Sequence, residues 1–327
     1  MRRSSSRPTR CSRGLLALAL AAALWLSAAP ARAETTAFTF FEGTQYPLTA
    51  FFLKGEVDGP TVMVQGGIQG DEPSGYVTAQ VLTHARVLRG NLIVVPRANV
   101  PSINLHLRAV NVDMNRRFDQ DYNRFYEDRL ARVVRFLLSQ CDALIHLHEG
   151  SGFYNPTYVD SLRNPQRYGQ SIIVDALTYG DDIRLGDTVK RVLDELNPGI
   201  QPPNWRFNLF NTETFNSDSK HLEQRKSLTF YALSSLKIPA LAVEVSKNIT
   251  QLDWKVTRQL EATVVLLKQY GVEVAPPGLT AQELEDHLAQ AGRVRINGRE
   301  LPAGGVVDLM PGSPISVEPE TRSDDPL

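Results

Sequence analysis

Residues 64–76 read V-Q-G-G-I-Q-G-D-E-P-S-G-Y, and this stretch decides the fold. The run that leads into it, Thr61-Val62-Met63-Val64, is apolar and β-branched, the composition of a buried strand. A glycine-rich turn follows at Gly66, Gly67 and Gly70, and a helix opens near Ser74. Two side chains able to bind a hard or borderline metal, Gln69 and Glu72, stand three residues apart on that turn.

Working outward, short β-like runs fall at 36–41, 48–54 and 61–64, with a helix over 75–86 and the next strand at 91–95. Residues 96–107 are rich in turn formers and read as a loop. Leu130, Val133, Val134, Leu137 and Leu138 recur at i, i+3, i+4 and predict an amphipathic helix. A strand follows at 143–147, and a helix at 185–196 is closed by Asn197-Pro198-Gly199. A strongly apolar strand spans 238–245. Leu252, Val256, Leu260, Val264 and Leu267 then mark one face of a last long helix. Strands alternating with helices at this spacing predict an α/β sandwich with a mixed, largely parallel central sheet, whose ligand site lies at the carboxyl ends of the strands.

The first 33 residues read as a secretory signal: five arginines by position 13, an apolar run over 15–29 too short to span comfortably, and Ala31-Arg32-Ala33 at the cleavage positions. No later apolar stretch approaches the roughly 20 residues of a membrane helix. The formal net charge is −1. Removing six arginines and no acids takes it to −7, a poor balance for nucleic acid, so no nucleic-acid partner is expected. Of two cysteines only Cys141 stays, which excludes an internal disulfide in the mature chain. The expected organisation is a signal (1–33), one large domain (34–275) and a small β-rich appendage (276–327), in a periplasmic monomer.

The chemistry-bearing side chains fall at strand ends. Gln69 and Glu72 follow the strand at 61–64, His148 follows that at 143–147, and Glu244 ends that at 238–245. An amide oxygen, a carboxylate and an imidazole would hold zinc at three positions and leave the fourth for water, which the ion acidifies toward neutrality. From spacing alone the alternative stays open that Gln69 caps a turn and His148 is a hydrogen-bonded residue at a strand end. His146 shares a face with His148, so a second metal is conceivable, though a hydrogen-bonded buried histidine is the simpler reading. Glu149 points to the opposite side. Arg117 and Arg124 read as solvent-facing charges.

The order of further motifs adds a resemblance. The run N-V-D-M-N-R-R-F at 111–118 resembles the N-x-D-x-N-R-x-F segment of carboxypeptidase A-like zinc peptidases. The turn at 66–72 resembles their G-G-x-H-G-x-E segment with Gln in place of His, L-H-E-G at 147–150 their second-histidine segment, and A-L-A-V-E at 240–244 the strand bearing their catalytic glutamate. Glutamine at the first ligand position is the mark of the cell-shape-determining peptidoglycan D,L-carboxypeptidases, and the chain is identified as a member. The resemblance implies a carboxypeptidase A-like fold with one zinc ion on Gln69, Glu72 and His148. It implies Glu244 as general base and acid, Arg108 polarising the scissile carbonyl, and Asn115 with Arg116 gripping the terminal carboxylate. Thr229 matches a hydroxyl over the substrate, with Tyr231 as its rival. The implied substrate is a peptidoglycan stem, trimmed from muramyl tripeptide to dipeptide with release of meso-diaminopimelate. Asp113 stands where it can accept a bond from the Gln69 amide nitrogen and turn the amide oxygen to the metal. Two other classes stay in view: a zinc deacylase of the succinylglutamate desuccinylase or aspartoacylase type, and a non-catalytic peptidoglycan-binding relative.

The tail is expected to hold a linker near 275–278, a helix over 280–291, a hairpin over 294–301 turning at Asn297-Gly298, strands at 306–310 and 315–317, and a polar end.

Overall fold

The computed structural model describes residues 35–278, 294–301 and 312–319. In chain order the elements are β1 (Thr35–Phe40), β2 (Leu48–Lys54), β3 (Val57–Gln65), α1 (Pro73–Leu82), β4 (Arg86–Val95), α2 (Val100–Asn104), α3 (Tyr126–Leu138), β5 (Ala143–Gly150), β6 (Phe153–Tyr154), β7 (Arg163–Asn164), β8 (Ser171–Val174), α4 (Leu185–Leu196), β9 (Asn208–Asn211), α5 (Leu228–Tyr231), β10 (Ala240–Ser246), α6 (Leu252–Gln269) and β11 (Glu273–Ala275). One mixed sheet takes the order β1-β2-β4-β3-β5-β10-β8-β9, with β11 on β4. Its centre, β4-β3-β5-β10, is parallel, as the alternation of strands and helices predicts.

Period-two alternation sorts the central strands between two apolar layers. Val62, Val64, Ile145, Leu147, Val243 and Val245 pack against Ala79 of α1, Val189 and Val192 of α4 and Leu266 of α6. Met63, Leu144 and Ala240 face the other way, onto Leu130, Val134, Leu137 and Leu138 of α3. Each of those α3 side chains is buried and contributes about 1.5–3 kcal/mol. The same parity decides where the polar side chains go. His146, His148 and Glu244 leave their strands on the α3 side, and Glu149 leaves on the α1 and α6 side.

Several elements differ from the sequence reading. The helix expected over 75–86 ends at Leu82, and β4 starts at Arg86 rather than 91 because its first half pairs with β11. The loop expected at 96–107 contains α2, whose Ser102 amide donates to the Asn99 side chain at 3.3 Å. The short strands β6 to β9 have no periodicity long enough to announce them. The hairpin at 294–301 forms as expected, as β12 (Val294–Ile296) and β13 (Arg299–Leu301), with Asn297 and Gly298 at positive φ. A third strand, β14 (Val317–Pro319), pairs with β12 slightly beyond the place expected. The signal at 1–33, the helix at 280–291, the strand at 306–310 and the tail at 321–327 lie outside the described residues. Among the described residues no helix is long and apolar enough to cross a membrane.

Candidate active site

The turn after β3 delivers the first two candidate ligands because glycine alone fits there. Gly67 has φ +65°, and a Cβ on Gly70 would stand 2.0 Å from the Ser102 carbonyl oxygen. The Gly70 amide donates to the Leu107 carbonyl at 2.9 Å, which pins the turn to the chain that carries Arg108. Gln69 is buried, and its Nε2 donates to both oxygens of Asp113, at 3.0 and 3.1 Å. Only an NH2 group can face a carboxylate at these distances, so Oε1 is left for another partner. Asp113 also accepts from the Asn115 amide (2.9 Å) and from Arg108 Nη2 (2.9 Å). Burial pushes its pKa up, but Arg108, Arg116 and the Gln69 amide together hold it below the usual carboxylate value.

Glu72 is the residue before α1, with Pro73 in the first turn. Its Oε2 lies 2.8 Å from His148 Nδ1 and accepts from the Glu149 amide at 3.1 Å. On the other side of His148, Nε2 lies 3.1 Å from His146 Nδ1. The 2.8 Å contact to Glu72 is a hydrogen bond in which His148 Nδ1–H donates to the carboxylate, and a metal ion on Nδ1 would take the place of that proton. Burial, and then the neighbouring His148, drive the His146 pKa well below its ordinary value, so His146 is neutral. Among the described residues His146 makes one hydrogen bond, through Nδ1, and its Nε2 is buried without a partner.

Parallel pairing of β5 and β10 sets Glu244 directly beside His148. Glu244 Oε2 is shielded from solvent without a hydrogen-bond partner. Burial first, with Glu72 adding to it, pushes the Glu244 pKa up to about 7, against the opposing pull of His148, Arg108 and Lys247.

These groups line one cavity of about 410 Å³, together with Arg108, Asn115, Arg116, Tyr168, Asp175, Gln224, Thr229 and Lys247. The cavity therefore gathers the candidate residues named from sequence except Asp113, which stands behind Gln69, and Tyr231. Arg108 lies half exposed between Glu72 Oε1 (3.5 Å) and Asp113. Asn115 Oδ1 accepts from the Leu228 amide at 3.0 Å, which turns its NH2 toward His148 Nε2 at 3.5 Å. Arg116 donates to the Asn115 carbonyl and, among the described residues, has no carboxylate within ion-pair distance. Thr229 is on the cavity wall. Tyr231 is packed in the core beside α3, with the Arg135 guanidinium 5.5 Å from its ring centre.

The donor set fits a divalent ion. Gln69 Oε1 is released by the Asp113 pairing, and Glu72 Oε2 and His148 Nδ1 meet at one point. Among the described residues no three His, Cys, Asp or Glu side chains group at ligand spacing, and the third donor of this set is an amide.

Several residues escape the sequence reading. Glu149, on the far face, accepts from the Ser74 amide at 2.7 Å and pairs with Lys255 Nζ at 2.7 Å, with both side chains buried. Gln259 donates to the carbonyls of His148 (2.9 Å) and Val243 (3.0 Å), and so ties β5 to β10 beneath the site. Lys247 pairs with Asp71 at 2.6 Å. Arg117 is a correction: it is no surface charge, since it bonds the buried Asp128 at 2.7 Å and lies 3.4 Å over the Tyr122 ring. Arg124 is exposed, as expected. Asp175 follows β8, and its one sequence signal is the apolar run Ser171-Ile172-Ile173-Val174 that stops at an acid.

Fold and site together set an amide, a carboxylate, an imidazole and a buried glutamate at the carboxyl edge of a parallel-centred α/β sheet. Residues 49–283 match the family described as the catalytic part of carboxypeptidases controlling helical cell shape, and the chain belongs to that family. Among solved structures it is similar to the cell shape determinant protein Csd4 of Helicobacter pylori. The product-bound and the mDAP-bound forms, the latter described as a D,L-carboxypeptidase, are each 31% identical at a TM-score of 0.64, over 74% of this chain and 59% of theirs. The chain thus spans less than two thirds of the length of that relative. A stretch of 100 residues, 28% of this chain and 29% of the relative, is 31% identical to N-alpha-acetyl-L-2,4-diaminobutyric acid deacetylase of Halomonas elongata. The ectoine utilization protein EutE (DoeB) of Ruegeria pomeroyi shares the fold at 15% identity and a TM-score of 0.53, over 77% of this chain and 70% of that one.

Proposed function

We propose that this chain is a zinc-dependent D,L-carboxypeptidase that trims peptidoglycan stem peptides in the periplasm. It takes muramyl tripeptide to dipeptide with release of meso-diaminopimelate, and so influences cell shape. The observation that carries this reading is the Gln69–Asp113 pairing beside Glu72 and His148, in a cavity that also holds Glu244 and Arg116. Family membership supports the carboxypeptidase activity, and the tripeptide-bound and mDAP-bound forms of the Helicobacter pylori relative support the substrate. The secretory reading of residues 1–33 supports the compartment. Residues 34–275 form the catalytic domain and 276–327 an accessory segment of a monomer.

Gln69, Glu72 and His148 would hold one zinc ion, which supplies Lewis acidity to the attacking water and the scissile carbonyl. Asn115 and Arg116 grip the terminal carboxylate of the substrate, the guanidinium through a two-bond fork. Thr229 adds a hydroxyl over the bound residue. Glu244, with a pKa near neutrality, accepts the proton of the attacking water and passes it to the leaving amine. Arg108 faces the negative charge that develops on the carbonyl oxygen. His146, Asp113 and Gln259 hold these groups in register without touching substrate.

The stretch similar to a deacetylase favours a second reading, a zinc deacylase of small amino acids. A parallel assay separates the two. Muramyl tripeptide and an Nα-acetylated diamino acid are supplied at equal concentration, and products are read by mass spectrometry. Release of diaminopimelate from the first supports the carboxypeptidase, and release of acetate from the second overturns it. Tight binding of the muropeptide with no turnover would leave the non-catalytic relative.

A further inference from the structure

Asp175 is a buried acid in the cavity that the mechanism leaves unused. It follows β8, on the same side as Ile173, and only 3% of its surface is exposed. Two threonines from the end of β9 hold it. The Thr214 hydroxyl donates to Asp175 Oδ1 at 2.6 Å, and the Thr212 hydroxyl lies 2.7 Å from that of Thr214 and donates to the Val174 carbonyl at 3.1 Å. The Thr214 amide bonds the Asp175 carbonyl at 2.9 Å, so the acid is fixed at both ends. Among the described residues no Lys, Arg or His lies within ion-pair distance of it. Burial raises its pKa; the hydroxyls of Thr214, Thr229 and Thr212, and more weakly Arg116, only partly offset this. A carboxylate kept in a cavity wall by neutral hydroxyls has an unmet demand for a cation.

Its neighbours say which cation. Arg116 is the opposite case, a cation on the same wall with no carboxylate partner among the described residues. The same wall carries Ile173, Ala242 and Tyr168, one apolar cluster with the stacked pair Tyr154 and Phe210. A carboxylate anchor, an apolar strip and a buried anion suit an amino acid whose side chain is a short methylene chain ending in an ammonium.

We propose that Asp175, steadied by Thr214 and Thr212, is the specificity-determining residue that receives the side-chain ammonium of the C-terminal residue, while Arg116 receives its terminal carboxylate. This rests on the carboxypeptidase reading above and adds the chemical group that selects the residue released. An ammonium supplies Asp175 with a charge-assisted bond, and an analogue without it leaves the acid buried and unpaired. Tyr168 and Ile173 accept the methylenes of either ligand.

The test is direct binding, by titration calorimetry, of meso-diaminopimelate and of 2-aminopimelate, which keeps the chain and both carboxylates but lacks the second amine. The zinc-loaded protein is expected to bind the diamino acid ~10–100-fold more tightly. The isosteric Asp175→Asn protein, checked by thermal melting, is expected to bind the two equally. Equal affinity in the unaltered protein overturns the proposal with no variant needed. So does a preference that survives in Asp175→Asn. Hydrolysis of muramyl tripeptide is measured beside it: a binding preference without hydrolysis sinks the carboxypeptidase reading and spares the subsite. Hydrolysis without the preference does the reverse.

Discussion

The Gln69 amide nitrogen sits 3.0 and 3.1 Å from the two oxygens of Asp113, and this one contact decides what the glutamine offers the cavity. An amide is neutral, as an imidazole is, so exchanging one for the other leaves the charge of the site unchanged. A free amide rotates and presents either end. The carboxylate behind Gln69 removes that freedom, since it accepts hydrogen bonds only from the NH2.

Asp113→Ala is accordingly expected to weaken zinc binding by about 10–100-fold while the fold persists. Competition with a chromogenic chelator reads the affinity. An unchanged affinity counts against the clamp and against the amide oxygen as ligand.

Arg116→Lys keeps the charge and loses the fork. Substrate binding should weaken in KM more than in kcat, with kcat/KM down about tenfold or more, because a point charge cannot make both bonds to a carboxylate. Steady-state kinetics on muramyl tripeptide distinguishes this from a loss in kcat alone, which would place Arg116 at the reacting carbonyl instead.

Lys255→Met should destabilise the protein by about 3–5 kcal/mol, because it strands the buried Glu149 carboxylate that holds the Ser74 amide. Combining it with Glu149→Gln should recover part of the loss, since the uncompensated charge is gone. Urea unfolding measures both, and a double variant as unstable as the sum of the singles would contradict the account.

Asp128 gives a pH-dependent prediction. It is buried, and it accepts from the Arg117 side chain and from the amides of Arg124 and Phe125, at 2.7, 2.7 and 2.8 Å. Burial raises its pKa, but Arg117 and the two amides lower it further, below the ordinary value. A depressed folded pKa contributes stability above the unfolded value and loses it as pH falls through the folded one. Asp128→Asn should therefore cost about 1.5–3 kcal/mol at pH 7, and the gap to the unaltered protein should close below about pH 4. A gap constant with pH would show that shape, not charge, holds this corner.

The legible part of the site follows one rule. Gln69, Glu72, His148 and Glu244 each follow or end an apolar run, so strand periodicity and the rule for parallel sheets already gather them at one edge. The same rule fits Asp175, but β8 is four residues long with no long helix directly after it, and its register comes from β9 and β10. The pairing of Glu149 with Lys255 spans more than a hundred residues and lies on the face away from the cavity, where no local pattern points. Arg117 shows the limit most plainly. It sits in the motif at 111–118 beside Arg116, and only the fold brings α3 close enough for Asp128 to pair with it.

The central claim is tested most directly by following muramyl tripeptide by mass spectrometry with the zinc-loaded protein and with its Glu244→Gln form at equal concentration. The account predicts muramyl dipeptide and free meso-diaminopimelate in equal amounts from the first, and a rate lower by at least about a hundredfold from the second. Intact tripeptide after prolonged incubation with the zinc-loaded protein, or equal release by the Glu244→Gln form, would contradict it.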